Sequence, residues 1–176
     1  MTEPIDIMSE QSPENYWEQL ERIERLNKAS ELKAGVIFSF HSFILGFLVD
    51  HMDVLSPLFS DYIFFSMIFG IWLLLVLVSI YFCFRCFTPR LELKFKKSIF
   101  FFRDAAKAYG DVAEYSNAYV SVCGDPKQLY QQLSQQIYIE SVVVNKKFVS
   151  VQRSLRFFAL SFAAVLILII SWAIIV

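Results

Sequence analysis

Hydrophobic residues are concentrated in three runs that carry no Asp, Glu, Lys or Arg. The segments 62–84 and 157–176 are 23 and 20 residues long. About 20 helical residues cross a hydrocarbon core of roughly 30 Å. A third run, 34–49, has 16 uncharged residues and includes His41. The pattern predicts an all-α membrane protein with transmembrane helices at 34–49, 62–84 and 157–176.

Small side chains support the assignment of the shortest run as a span. Gly35, Ser39, Ser42 and Gly46 recur at intervals of four, three and four residues, which places them on one face of a helix. Small residues let helices approach closely inside a membrane. We therefore expect these four residues to pack against a neighbouring transmembrane helix.

The polar segment 1–33 is predicted to form a helix that continues into the first span. Ser12 is a typical N-cap residue, Pro13 suits the first helical position, and no Gly or Pro follows before Gly35. Glu and Lys or Arg residues four apart, such as Glu21 and Arg25, stabilise a helix in this order. Tyr16, Leu20 and Ile23 share a narrow apolar face.

The segment 85–156 is predicted to be a helical domain between the second and third spans. Residues 91–96 alternate between apolar and charged, which fits a short strand or an extended crossing, and helices are expected over 98–109 and 111–122. Gly124-Asp125-Pro126 ends one helix and caps the next. The following pattern predicts one long helix from residue 127 to 176 that continues into the third span.

Charge sets the predicted orientation. The segment 85–156 carries 12 of the 16 Lys and Arg residues, residues 1–33 carry the other four, and the loop 50–61 carries none. The positive-inside rule then places both basic regions in the cytoplasm and the loop outside. Orientation and the anionic headgroups explain most of the basic charge, and the near-neutral whole chain gives no reason to expect nucleic acid as a partner.

Catalytic and metal-binding patterns are weak. Cys83 and Cys86 have the C-x-x-C spacing, but there is no second pair to complete a zinc site. The sequence has no nucleophile elbow, P-loop or zinc-protease motif, so we expect no enzyme activity, no catalytic residues and no metal or other cofactor. His41 is a candidate for a function inside the membrane, although it can also bond across a helix interface.

The predicted cytoplasmic domain is unusually rich in Tyr and Gln. Tyrosines recur between residues 109 and 138, interleaved with Gln, Ser and Asn side chains. Stacking aromatic rings and amide hydrogen bonds are suited to a nucleobase. A plain helical bundle explains the same composition, and the residues alone leave both interpretations open.

Four short motifs resemble the Pycsar effector transmembrane family, and their order relative to the spans is the same. The resemblance covers about residues 29–176. The motifs are 31–35 (ELKAG), 89–91 (PRL), 99–106 (IFFFRDAA) and 136–148 (QIYIESVVVNKKF). It implies an antiphage effector of the bacterial inner membrane. Such an effector senses cCMP or cUMP from a partner cyclase, impairs the membrane and stops the infected cell.

The resemblance also implies positions that contact the nucleotide. Arg90, Lys146 and Lys147 would neutralise its phosphate, and Phe102 or Tyr119 would stack on the base. Asp104, Gln136 and Ser141 would read the pyrimidine edge. The full predicted set is Lys33, Arg90, Phe101, Phe102, Asp104, Tyr119, Gln136, Ser141, Lys146 and Lys147, of which Tyr119 and Lys146 rest on residue type alone.

Two other functions compete with a ligand-gated effector that forms homo-oligomers in contact with membrane lipid. A structural or adaptor protein of the inner membrane would dock a cytoplasmic partner through the long helix, using Leu129, Leu133 and Ile137. A pore-forming toxin would need no ligand. Nucleotide-dependent toxicity distinguishes the effector from both.

Overall fold

The computed structural model describes residues 12–88 and 97–175, and within these ranges it is helical without any strand. The possible strand at 91–96 and the predicted ligand residue Arg90 lie outside the described residues. The helices are α1 (Pro13–Asp50), α2 (Met52–Asp61), α3 (Ile63–Phe87), α4 (Phe102–Lys107), α5 (Val112–Gly124) and α6 (Pro126–Ile175).

The chain forms two compact units. Residues 1–26 and 90–144 form the first, here called the tyrosine-rich unit, and residues 27–89 and 145–176 form the second, the membrane unit. Three helices, α1, α3 and α6, are long and apolar enough to cross a membrane. The prediction of an all-α membrane protein is therefore confirmed, and each predicted span overlaps one of these three helices.

Helix α1 begins where the sequence predicted. The Glu14 amide donates to Ser12 Oγ at 3.4 Å and the Asn15 amide donates to the Ser12 carbonyl at 3.2 Å. Because no residue breaks it, the helix continues through the polar segment into the apolar one and ends at Asp50. Glu21 and Arg25 form the expected pair at 3.4 Å.

The face through which α1 packs in the membrane unit differs from the predicted one. Its buried residues are Ser30, Ala34, Ile37 and His41. Ser39, Ser42 and Gly46 are exposed and Gly35 is partly exposed, while the two hydroxyls donate to carbonyls of their own helix. Within the chain α1 is buried through these other residues, so packing by Gly35, Ser39, Ser42 and Gly46 against a neighbouring helix of the same chain is corrected. Contact with another copy stays a prediction.

Helix α2 occupies the segment that was predicted as a loop. Leu58 is buried, the Phe59 ring lies 4.8 Å from that of Phe69, and Ser66 Oγ donates to the Phe59 carbonyl at 2.9 Å. Leu58 belongs to an apolar cluster of the membrane unit. The other buried members of this cluster are Phe65, Trp72, Val76, Ala164 and Leu168.

The tyrosine-rich unit contains α4, α5 and the first part of α6. Asp111 caps α5 by accepting from the Glu114 amide at 2.7 Å. Asp125 caps α6, because its carboxylate accepts from the Lys127 amide at 2.9 Å and from the Gln128 side chain at 2.8 Å. The predicted boundary and the uninterrupted helix that follows it are both confirmed.

Helix α4 is shorter than the predicted helix 98–109. The Ser98 amide donates to Asp104 Oδ2 at 3.0 Å, and the Ile99 carbonyl accepts from the Tyr115 hydroxyl at 3.2 Å. In a helix that began at Ser98 the Ile99 carbonyl would be bonded internally, whereas here the Tyr115 side chain is its donor. The helix therefore starts only at Phe102.

Candidate functional site

Aromatic rings form a continuous series of contacts inside the tyrosine-rich unit. Ring centroids lie 5.6 Å apart between Trp17 and Phe100, 6.1 Å between Phe100 and Tyr119, and 6.1 Å between Tyr119 and Tyr115. The Tyr109 ring continues the series at 5.2 Å from that of Tyr115. The series brings rings from α1, α5 and the segment before α4 into one unit.

A second aromatic contact joins the two long helices within the tyrosine-rich unit. Tyr16 of α1 stacks on Tyr130 of α6 with centroids 5.3 Å apart. Ile23 of α1 and Leu133 of α6 are buried. The predicted apolar face of the N-terminal helix is thus an internal packing face.

One lysine organises the loop between α4 and α5. Lys97 Nζ lies 3.5 Å from the centroid of the Tyr109 ring and 3.0 Å from Glu114 Oε1. The Gly110 amide, which donates to Glu114 at 2.7 Å, and then Lys97 hold the pKa of the Glu114 carboxyl below its ordinary value. Burial raises the pKa of the Tyr109 hydroxyl, an effect that Lys97 opposes. Lys97 therefore contacts both the Tyr109 ring and the Glu114 carboxylate.

Three buried polar oxygens of the tyrosine-rich unit have no hydrogen-bond partner among the described residues. They are Ser98 Oγ, Gln132 Oε1 and Gln136 Oε1. Gln132 and Gln136 are four residues apart in α6, so they lie on the same helix face. Gln136 is only 7% exposed, and its amide nitrogen donates to Glu140 at 3.0 Å, which leaves the oxygen as an acceptor.

Buried acceptors without partners carry a free-energy cost. An unsatisfied buried polar group destabilises a protein by about 1–3 kcal/mol. Such groups in a native fold therefore point to a molecule that supplies the missing donors, either water or a ligand.

Six of the predicted ligand residues that the structure describes belong to the tyrosine-rich unit, but their environments differ. Phe101 is buried at 7% exposure whereas Phe102 is 78% exposed and Tyr119 is 41% exposed. Asp104 holds the Ser98 amide, and Ser141 lies on the exposed side of α6. Phe102 and Tyr119 therefore offer ring surface to a ligand, while Phe101 and Asp104 have structural contacts.

The other described ligand predictions, Lys33, Lys146 and Lys147, belong to the membrane unit. Lys147 is buried and forms an ion pair with Glu31. Lys33 Nζ lies 5.6 Å from the centroid of the Phe148 ring, and Lys146 is exposed. The predicted set is thus divided between the two units.

The membrane unit has a polar contact between α3 and α6. Ser79 Oγ donates to the Ser154 carbonyl at 2.9 Å and Ser154 Oγ donates to the Ser79 carbonyl at 3.0 Å. Cys83 Sγ lies 3.0 Å from Ser154 Oγ, and Cys86 Sγ donates to the Ser30 carbonyl at 3.8 Å. Both cysteines of the C-x-x-C spacing therefore pack between helices.

His41 is another polar group buried in a span. Its ring meets the Phe158 ring edge-on at 5.1 Å, and its Nε2 has no hydrogen-bond partner among the described residues. Within those residues no group of three or more His, Cys, Asp or Glu side chains is placed to hold a metal ion.

Several residues of the site were not singled out from the sequence. Ser98 and Trp17 carry no local signal, because a lone Ser and a lone Trp occur in every kind of segment. Gln132 belongs to the Gln residues interleaved with the tyrosines, and it was left out of the predicted set although it precedes Gln136 by about one helical turn. The pairing of Lys147 with Glu31 could not be predicted from the sequence, because the two residues are 116 positions apart in the chain.

Comparison with known protein families decides the identity of the chain. A family model described as the Pycsar effector protein domain matches residues 15–175. The chain belongs to the Pycsar effector family. No curated protein and no solved structure matches the chain.

The resemblance seen in the four motifs is confirmed. Membership assigns the chain a role as an antiphage defence effector, and the family implies a cyclic nucleotide signal from a partner cyclase. The three spanning helices make this Pycsar effector a membrane protein.

Proposed function

We propose that this effector binds a cyclic pyrimidine mononucleotide, cCMP or cUMP, in its tyrosine-rich unit and then impairs the inner membrane. The signal comes from a partner cyclase, and the effector itself catalyses no reaction and uses no cofactor. It rearranges or oligomerises in the membrane, and the infected cell stops growing.

The unpartnered oxygens of Gln132 and Gln136 carry this proposal. Both are buried acceptors on one face of α6, and a pyrimidine edge carries N–H donors, as the amino group of cytosine does. A bound base satisfies these acceptors without exposing them to water. Hydrogen bonds that replace unsatisfied buried groups also recover the cost of those groups.

Aromatic surface supports the same ligand class. Phe102 and Tyr119 expose ring surface in the tyrosine-rich unit, and stacking on an aromatic ring contributes about 1–3 kcal/mol per base. We assign the phosphate to Arg90, which the resemblance placed there and whose planar guanidinium can form two parallel bonds to a phosphate.

The adaptor alternative is less well supported. It needed Leu129, Leu133 and Ile137 as an open docking face. Leu133 is fully buried and the other two are half-buried within the chain. That face of α6 is therefore covered already.

Thermal unfolding of the detergent-purified full chain tests the proposal. The chain is measured with cCMP, cUMP, cAMP, cGMP and linear UMP. We expect a higher melting temperature with one cyclic pyrimidine alone, since a ligand at 100 times its dissociation constant adds about 2.7 kcal/mol. No increase with any of the five, in a folded sample, contradicts nucleotide binding.

Two glutamine variants locate the site. Gln136→Leu removes the buried acceptor and should abolish the nucleotide-dependent increase. Gln131→Leu makes the same chemical change at an exposed position of α6 and should preserve the increase. If both variants respond like the wild type, Gln136 does not contact the base.

A further inference from the structure

An ion pair joins two candidate spans inside the membrane unit. Lys147 Nζ of α6 contacts Glu31 Oε1 of α1, and the Lys147 side chain is 7% exposed while that of Glu31 is 39% exposed. Lys33 of α1, two positions after Glu31, lies over the ring of Phe148, the residue that follows Lys147 in α6. The two contacts fasten α1 to α6 at this end of the membrane unit.

The third span reaches the same place. Cys86 near the end of α3 donates to the carbonyl of Ser30, the residue before Glu31. Cys86 packs in one buried cluster with Ala34 of α1 and Val151 of α6. Helices α1, α3 and α6 therefore meet beside the Glu31–Lys147 pair.

A charged pair is a poor choice if holding the helices together is its only purpose. Withdrawing an ammonium and a carboxylate from water costs more than their attraction returns unless the geometry is good, and apolar residues of similar volume often hold as well or better. Removing Glu31 is harmful, because it leaves the Lys147 ammonium buried and unpaired.

The pair does have an advantage when the helices must separate. Two apolar side chains that part into water lose their burial, whereas two charged side chains that part become hydrated. An ion pair at the end of the spans therefore makes the separated arrangement accessible. The apolar cluster around Trp72 and Leu168 is a distinct contact of the same unit and holds its helices without charge.

We propose that Glu31 and Lys147 form a latch that closes the membrane unit in the resting effector and opens when the effector acts on the membrane. The inference rests on the proposed function, since the nucleotide signal is what opens the latch. Helix α6 carries Gln136 in the tyrosine-rich unit and Lys147 in the membrane unit without a break between them. Lys147 acts through Glu31 and makes no contact with the nucleotide.

Dye release from vesicles tests the latch. The full chain is reconstituted into vesicles of phosphatidylethanolamine and phosphatidylglycerol loaded with a self-quenching dye, and release is followed before and after addition of cCMP or cUMP. Glu31→Gln and Lys147→Met each leave one side chain without its partner, and both should release dye without nucleotide. Wild type should remain tight until nucleotide is added.

Two further variants complete the design. The exchange Glu31→Lys with Lys147→Glu restores opposite charges and should be tight without nucleotide and responsive to it. Glu21→Gln removes an exposed ion pair of α1 and should behave as wild type. Single variants that elute as folded protein and stay tight overturn the latch. If the exchange variant retains dye without nucleotide but also releases none after nucleotide is added, Lys147 is assigned to ligand binding. This result also overturns the latch.

A double variant tests the latch if the single variants fail to fold. Glu31→Leu with Lys147→Leu replaces the pair by an apolar contact, which should stay tight and lose its nucleotide response. A normal response of this variant overturns the latch. If wild type responds to neither nucleotide, the proposed function fails, while spontaneous release by the single variants still supports the latch.

Discussion

Ser154 is fully buried in the membrane unit and exchanges hydrogen bonds with Ser79 in both directions. Each hydroxyl bonds the backbone carbonyl of the opposite helix, so the contact holds α3 and α6 at close range. Cys83 completes the cluster from one turn along α3. Hydroxyl groups of this kind join helices in a membrane, where apolar burial alone favours no particular partner.

We expect Ser154→Ala to lower the free energy of unfolding by about 1 kcal/mol, within the range measured for interhelical hydrogen bonds in membranes. The substitution removes the hydroxyl that donates to the Ser79 carbonyl and leaves the Cys83 thiol without its partner. Unfolding of the detergent-solubilised protein in increasing SDS, followed by circular dichroism, measures the loss.

Ser56→Ala is the matched control, because Ser56 is exposed in α2. It should leave the free energy of unfolding unchanged. Equal stabilities for Ser154→Ala and wild type would mean that the α3–α6 contact does not depend on the hydroxyl.

The environments of single residues could not be predicted from the sequence. Residue type and motif order were enough to single out Gln136 and Lys147. They could not show that Gln136 is 7% exposed with an unpartnered oxygen, or that Lys147 is paired with Glu31. Both facts depend on which helix faces which, and packing between residues far apart in the chain decides that.

The helices themselves were largely predictable, and the exceptions have physical causes. Helix α6 could be anticipated because no Gly or Pro interrupts it after its capped start. Helix α2 was missed because the segment 50–61 was interpreted only as the connection between two predicted spans, and it contains Pro57. Burial of Leu58 and packing of Phe59 against Phe65 and Phe69 outweigh the proline.

The start of α6 depends on Asp125, and its cap is sensitive to pH. The bond from the Gln128 side chain comes first among the causes that hold the pKa of Asp125 below its ordinary value of 3.8. A carboxyl with a lowered pKa stabilises the fold above its unfolded pKa. That contribution is lost as the pH falls through the folded value.

We therefore expect Asp125→Ala to lower the melting temperature by a few degrees at neutral pH, because the first amides of α6 lose their acceptor. The difference from wild type should begin to shrink as the pH falls below 3.8 and should be lost as it passes through the lower pKa that Asp125 has in the folded protein. Asp125→Asn keeps a capping oxygen and should melt closer to wild type. A difference that does not change between neutral and acidic pH would contradict the assigned role of the ionised carboxylate.

At the scale of the whole molecule, charge is the feature that orients the chain. Lys and Arg flank the three spans on one side, and the segment 50–61 between α1 and α3 contains none of them. From the positive-inside rule we expect that segment on the outer side of the membrane and the tyrosine-rich unit in the cytoplasm. A cytoplasmic tyrosine-rich unit is also what the proposed nucleotide signal requires, since the partner cyclase makes its product inside the cell.

The native cysteines allow this orientation to be measured. Cys123 is exposed in the tyrosine-rich unit, whereas Cys83 and Cys86 are buried. A membrane-impermeant maleimide should label wild type only after the cells are opened. In a Cys123→Ser background, His51→Cys should be labelled on intact cells, because His51 is exposed between α1 and α2.

Cys123→Ser alone is the control and should remain unlabelled on both sides, since its remaining cysteines are covered by α1 and α6. Labelling of Cys123 on intact cells would reverse the orientation. The tyrosine-rich unit would then face away from any nucleotide made in the cytoplasm, and the proposed sensor role would fail together with the topology. Labelling of position 51 from outside, with Cys123 protected, places Gln136 on the side of the membrane where the signal is made.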